Sequence, residues 1–131
     1  MSEVTYWGYE LRINAAGCNH EALTNHDTIA AFSKQLVKDI DMVAWGEPLI
    51  PNFGHGDKSG YSLHQFIETS NIDAHFVNEY DHIYLNIFSC KRFDSKIVLK
   101  LVKEYFGATH WTYDWSERQA PSTSGPHSTL D

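Results

Sequence analysis

The residues with chemistry to offer gather in one stretch, IETSNIDAHFVNEYDHIYLNIFSCKRFD at 67–94, which carries a hydroxyl at Ser70, an imidazole at His75 and a thiol at Cys90. A hydroxyl can attack a carbonyl. An imidazole, with a reference pKa of about 6.5, can take a proton near neutral pH, and a thiol, at about 8.5, stays mostly protonated and can give one. The same residues also suit turns, caps and, for cysteine, a small buried hydrophobe. A metal centre is the other chemistry to weigh, because the chain has eight histidines: His20, His26, His55, His64, His75, His82, His110 and His127. They show no HExxH or Cys/His finger spacing, so no metal site is expected. Cys18 and Cys90 form no CxxC motif and read as two free thiols of an intracellular protein.

These groups must be held by regular elements, and the apolar spacing names them. In residues 3–14, Trp7, Tyr9, Leu11 and Ile13 alternate with Gly8, Glu10 and Arg12, which predicts a half-buried strand. Over 28–41, Ile29, Phe32, Leu36 and Ile40 recur at helical steps behind the cap candidates Asn25 and Asp27. The stretch 46–60 has two prolines and four glycines and is expected to be a pocket-rim loop. Strands follow at 61–68, 71–77 and 82–88. Asp94 can cap a second helix with the stripe Ile97, Leu101, Val102, Tyr105 and Phe106, stopped by Gly107. A last strand at 109–115 sets Trp111, Tyr113 and Trp115 on one face.

Hairpin-linked strands with two one-sided helices predict an α+β fold, a two-layer α/β sandwich whose antiparallel sheet has both helices on one face. One domain over residues 1–116 is expected, followed by a flexible polar tail at 117–131. Aromatics on the other sheet face point to a homodimer through the sheet or its edge. A net charge of −7 and a pI near 5.5 argue against nucleic-acid and anionic-membrane partners. No apolar run approaches the roughly 20 residues that cross a bilayer, and the start MSEVTYWGYE lacks a signal-peptide layout. The expected compartment is the cytoplasm.

Three spacings then become informative together. His75 follows Ser70 by five residues, Cys90 follows His75 by fifteen, and Ser62, in GYSL, precedes Ser70 by eight. With Glu79 four after His75, and WGYEL near the start, this resembles the processing and active-site region of the S-adenosylmethionine decarboxylases over most of 7–107. Many bacterial members have Glu before the serine and His after it, whereas this chain has Thr69 and Asn71, with Glu68 one step further back. The stretch between Phe53 and Ser62 is also longer than in the compact bacterial enzymes.

The resemblance implies a proenzyme that cuts itself at Thr69/Ser70 and turns Ser70 into a covalent pyruvoyl cofactor. Decarboxylating an amino acid leaves a carbanion that needs an electron sink, which ordinary side chains do not supply. By resemblance, the Ser70 hydroxyl attacks the Thr69 carbonyl, Ser62 supports the intermediate and His75 takes the Cα proton in the elimination. The pyruvoyl ketone then captures the amine of S-adenosylmethionine as a Schiff base, and Cys90 returns a proton to the α-carbon. Glu79 matches the ribose-binding carboxylate. Trp7 and Phe53 are candidates for stacking on adenine or facing the sulfonium, and Glu10 for the ammonium or sulfonium region. The product is the aminopropyl donor for spermidine synthesis. Two other readings stay open: a pyruvoyl-dependent ornithine or arginine decarboxylase, and an unprocessed, non-catalytic homologue that acts as a binding protein.

Overall fold

The computed structural model describes residues 4–122. Six antiparallel strands form one sheet: β1 (Gly8–Ala16), β2 (Asn52–Phe53), β3 (Gly60–Ile67), β4 (Ser70–Val77), β5 (His82–Ser89) and β6 (His110–Arg118). Their order across the sheet is β2-β3-β4-β5-β1-β6. Three helices accompany them: α1 (His20–Leu23), α2 (His26–Asp39) and α3 (Ser95–Phe106). The α+β sandwich read from the sequence is the observed architecture.

Alternation decides which face each residue takes. Tyr9, Leu11 and Ile13 of β1, Ile72, Ala74 and Phe76 of β4, and Ile83, Leu85 and Ile87 of β5 are buried and share the inner face. Against them pack Ile29, Phe32 and Leu36 of α2 and Val98, Leu101, Val102 and Phe106 of α3. Phe106 is the centre of this contact, with its ring 5.0 Å from Phe32 and 5.2 Å from Phe76. The outer face holds Arg12, Asn14, Ser62, His64, Phe66, Asn71, Asp73, His75, Tyr84, Asn86 and Phe88, and among the described residues no helix covers it. Phe66 and Tyr84 are exposed there.

The helix ends follow their caps. Asn25 accepts the Thr28 N–H and starts α2, so Asp27 lies inside the first turn, while Asp94 accepts the Lys96 N–H and starts α3. Gly107, at φ 64°, stops α3 by a left-handed turn that its missing side chain makes cheap.

Five features depart from the sequence reading. Trp7 does not join Tyr9 on the inner face: β1 begins only at Gly8, and Trp7 stacks on Phe88 at 6.1 Å on the outer side. Gly8 allows this, since a Cβ there would lie 2.9 Å from the Phe88 ring. The proline- and glycine-rich segment holds the short β2 and a 3-10 turn at Gly56–Lys58, and α1 is an additional single turn capped by Asn19. Of the three β6 aromatics, Trp115 packs against Tyr9 and Phe93, Trp111 lies beside α3 with Lys103 Nζ 5.0 Å from its ring, and Tyr113 is exposed. Strand β6 also runs on through Glu117 and Arg118; of the segment expected to be flexible, 123–131 lies outside the described residues.

Replacing Phe106 by Ala should cost about 3–5 kcal/mol, because three aromatic rings lose their shared contact and leave a cavity. Urea unfolding of the Phe106→Ala variant measures this, and a loss below about 1 kcal/mol would mean that the site collapses to fill the space.

Candidate active site

The turn between β3 and β4 contains only Glu68 and Thr69, since Ile67 pairs with Ser70. Two-residue hairpins favour positive φ at their central positions, because that twist matches the strands. Neither Glu68 nor Thr69 adopts it; among the described non-glycine residues only Asp41 and Asp81 do. Contacts from outside hold this turn instead. The Glu68 N–H donates to the Val43 carbonyl at 2.8 Å, and the Cys90 N–H donates to the Thr69 carbonyl at 3.0 Å. Ser70 is therefore the first residue of β4, half-buried, directly after a carbonyl already polarised by a backbone donor. Cys90 lies one residue beyond β5 and is exposed.

A second group forms toward the other end of the same strands. Ser62 Oγ and His75 Nδ1 share a hydrogen bond of 2.9 Å across the β3–β4 pair. His75 lines a cavity of about 580 Å³ with Phe53, Asp57, Lys58, Tyr80, His82 and Tyr84. Phe53 reaches this wall because β2 pairs with Gly60, where a Cβ would sit 1.7 Å from the Phe76 carbonyl oxygen and force the strands apart. Glu79 is exposed in the 78–81 turn next to Tyr80 and is not one of the residues that line this cavity.

The two groups do not meet within one chain. Five residues along β4 separate Ser70 from His75 by roughly 16 Å, and the odd count puts their side chains on opposite faces. Of the four residues expected to act together, Ser62 meets His75 and the Cys90 backbone meets the turn at Thr69, next to Ser70, but the four do not gather. Trp7 lies at the Ser70 end, in a cavity of about 590 Å³ formed with Phe88, Arg118 and Gln119. Glu10 is also at this end, with its carboxylate hydrogen-bonded to Arg118 and 3.8 Å from Arg12. Its charge is met by arginines of its own chain, which leaves it a weaker partner for a substrate cation than an unpaired carboxylate.

The family model described as S-adenosylmethionine decarboxylase matches residues 9–119. The chain belongs to this family. Among its decarboxylase relatives is an S-adenosylmethionine decarboxylase proenzyme of Clostridium botulinum (strain Langeland), 31% identical over 100 residues, 76% of this chain and 83% of that one. The proenzyme from strain Loch Maree is 30% identical over the same length. The crystal structure of the adenosylmethionine decarboxylase from Aquifex aeolicus covers 95% of this chain and 100% of its own, with a TM-score of 0.74 at 13% identity, which shows a common fold.

Membership makes this chain a decarboxylase whose cofactor is a pyruvoyl group cut from a serine of its own sequence. The turn before Ser70 is compatible with that origin, because the Thr69 carbonyl is held by a donor and the Ser70 hydroxyl follows it by one residue. The decarboxylase motif did not reveal the Cys90 backbone N–H as that donor, since motif spacing reads side chains and not main-chain groups. Nor did it reveal Tyr80, His82 and Tyr84 as cavity walls, although their alternation about the 78–81 turn could have suggested it. Among the described residues, no group of three or more His, Cys, Asp or Glu could hold a metal ion, and no helix is long and apolar enough to cross a membrane.

The two thiols of this decarboxylase differ in environment. Cys18 is buried, and burial first, with the nearby Asp81 charge second, pushes its pKa from 9.0 to about 11. The native protein treated with iodoacetamide at pH 8 should therefore be alkylated at Cys90 and spared at Cys18, as peptide mass mapping would report. Equal labelling of both would contradict this. Because the folded state holds the Cys18 proton more tightly, its contribution to stability is present below pH 9.0 and is lost as the pH rises toward about 11.

Proposed function

We propose that Ser70 is the pyruvoyl precursor with which this chain decarboxylates S-adenosylmethionine to the aminopropyl donor for spermidine synthesis. The observation that carries the assignment is the Cys90 N–H on the Thr69 carbonyl, in a two-residue turn that ends at Ser70. Attack by Ser70 Oγ places negative charge on the Thr69 oxygen, where that N–H is already aimed. Collapse breaks the amide and moves the Thr69 acyl group to Oγ as an ester. Removal of the Ser70 Cα proton then expels the Thr69 carboxylate, and hydrolysis with loss of ammonia leaves the ketone. His75 is the base, oriented through its hydrogen bond to Ser62, which also supports the first intermediate.

Once formed, the pyruvoyl group binds the substrate amine and takes up the electrons left when carbon dioxide departs. Cys90, exposed beside it, gives the proton to the α-carbon. Phe53 and Trp7 present aromatic faces to the adenine and sulfonium, Glu79 accepts from the ribose hydroxyls, and Glu10, held by its arginines, borders the substrate's cationic end. These nucleoside contacts favour S-adenosylmethionine over ornithine or arginine.

The working unit in this reading is a cytoplasmic homodimer. Ser70 lies roughly 16 Å along β4 from its own His75, so His75 and Ser62 of the partner subunit complete the site at Ser70. The outer face that carries Ser62 and His75, beside the exposed Phe66 and Tyr84, is open to a partner whose β4 begins at Ser70, which supports a contact between that face and the partner's strand end.

Release of labelled carbon dioxide from carboxyl-labelled S-adenosylmethionine, ornithine and arginine tests the substrate. Release from the nucleoside substrate alone is expected, abolished in Ser70→Ala; release from ornithine or arginine instead would overturn the substrate assignment. Co-expression tests the shared site. A tagged His75→Ala chain, uncut alone, should be cut when paired with Ser70→Ala, which supplies an intact Ser62 and His75. Failure of that rescue, with the hybrid dimer present, would place all four residues in one chain's site.

A further inference from the structure

We infer that Ser89 is a positioning residue for self-cleavage, acting through a hydrogen bond to the Thr69 side chain that fixes the scissile carbonyl against the Cys90 N–H. The inference rests on the reading of Ser70 as the cleavage serine. Ser89 is the last residue of β5, pairs in register with Ser70 and is fully buried. A buried hydroxyl left without a partner would be costly at this position, against the apolar core. Ser89 Oγ accepts the Lys91 N–H at 3.0 Å and donates to Thr69 Oγ1 at 2.8 Å.

A hydroxyl has one proton to give, so the order of the chain is determined. Ser89 lies 3.7 Å from Met42 Sδ, but Thr69 Oγ1 is the nearer and stronger acceptor. The Thr69 proton in turn goes to Met42 Sδ at 3.2 Å. The sequence is then Lys91 N–H to Ser89, Ser89 to Thr69, and Thr69 to Met42. Its far end is anchored too: Lys91 Nζ donates to the Asp41 carbonyl at 2.6 Å and to its carboxylate at 2.9 Å, one residue before Met42. That cation holds the Asp41 carboxyl below the ordinary carboxylate range.

Two consecutive residues therefore grip Thr69, Ser89 by its side chain and Cys90 by its carbonyl. With its side chain fixed, the residue has little freedom to swing its carbonyl away from the Cys90 N–H, and its own hydroxyl is kept from competing for the Ser70 proton. This matters in a turn of two residues whose φ values do not suit a hairpin.

Self-cleavage of freshly synthesised full-length chain, followed on denaturing gels, provides the test. Ser89→Ala should cut about tenfold more slowly, the rate equivalent of one neutral hydrogen bond. Thr69→Val, which removes the acceptor while keeping the shape, should slow cutting similarly, and the double variant should be no slower than either single one. Hydroxylamine, which splits esters, should not speed Ser89→Ala, because the loss comes before the ester forms. A wild-type rate in both single variants, a double variant slowed by the product of the two effects, or full rescue by hydroxylamine would each overturn the role of Ser89. Thr69→Val lies on the half-buried turn and keeps the test decisive if Ser89→Ala does not fold. Absence of cutting in the unsubstituted chain would instead remove the cleavage reading itself, which separates the two failures.

Discussion

One main-chain hydrogen bond, from the Cys90 N–H to the Thr69 carbonyl, organises much of what this molecule can do. It joins the end of β5 to the turn between β3 and β4, and so requires that the three strands be in register there. The register is set by the inner face, where Ile72, Ile87 and Leu11 lie in one row under the helices. A slip of one residue would turn the buried rows outward and would also take Ser70 away from Ser89. Core packing and the chemistry of the turn are thus fixed by the same alignment.

The second constraint is the stiffness of a strand. At about 3.3 Å per residue, β4 cannot curl its own His75 back to Ser70. A fold that delivers the proposed nucleophile and base on one strand has to bring them together between copies, and the same sheet leaves an outer face uncovered to do so. The cavity around His75 and Phe53 and the cavity around Trp7 and Phe88 then read as two parts of one substrate site. In this account the antiparallel sheet serves less as a container than as a ruler.

Much of the fold was legible because apolar spacing is itself the physical cause of helix and strand faces. Ile29, Phe32 and Leu36 show the step of α2, and Asn25, Asp94 and Gly107 mark helix ends by their own hydrogen bonds or backbone freedom. Elements too short for a period escaped: four residues of α1 and two of β2 carry no repeat. Trp7 was misplaced because alternation was carried one residue past the start of β1 at Gly8. At the site, Ser62, Ser70, His75 and Cys90 were marked by the resemblance of their spacing to the decarboxylase family, not by the residues taken alone. The separation of Ser70 from His75 was implicit in the odd count between them, but it takes on meaning only once 70–77 is one unbroken strand. Ser89 carried no signal, since a buried serine in a strand of isoleucines reads as filler until its partner is seen.

The central claim is that the bond between Thr69 and Ser70 is broken by the protein itself. The intact mass of purified protein under denaturing, reducing conditions tests it most directly. The account predicts two fragments, residues 1–69 and 70–131, the second beginning with a pyruvoyl group in place of an amino terminus. A single uncut chain in a preparation that releases carbon dioxide from S-adenosylmethionine, or a second fragment that begins with an ordinary serine amine, would contradict it.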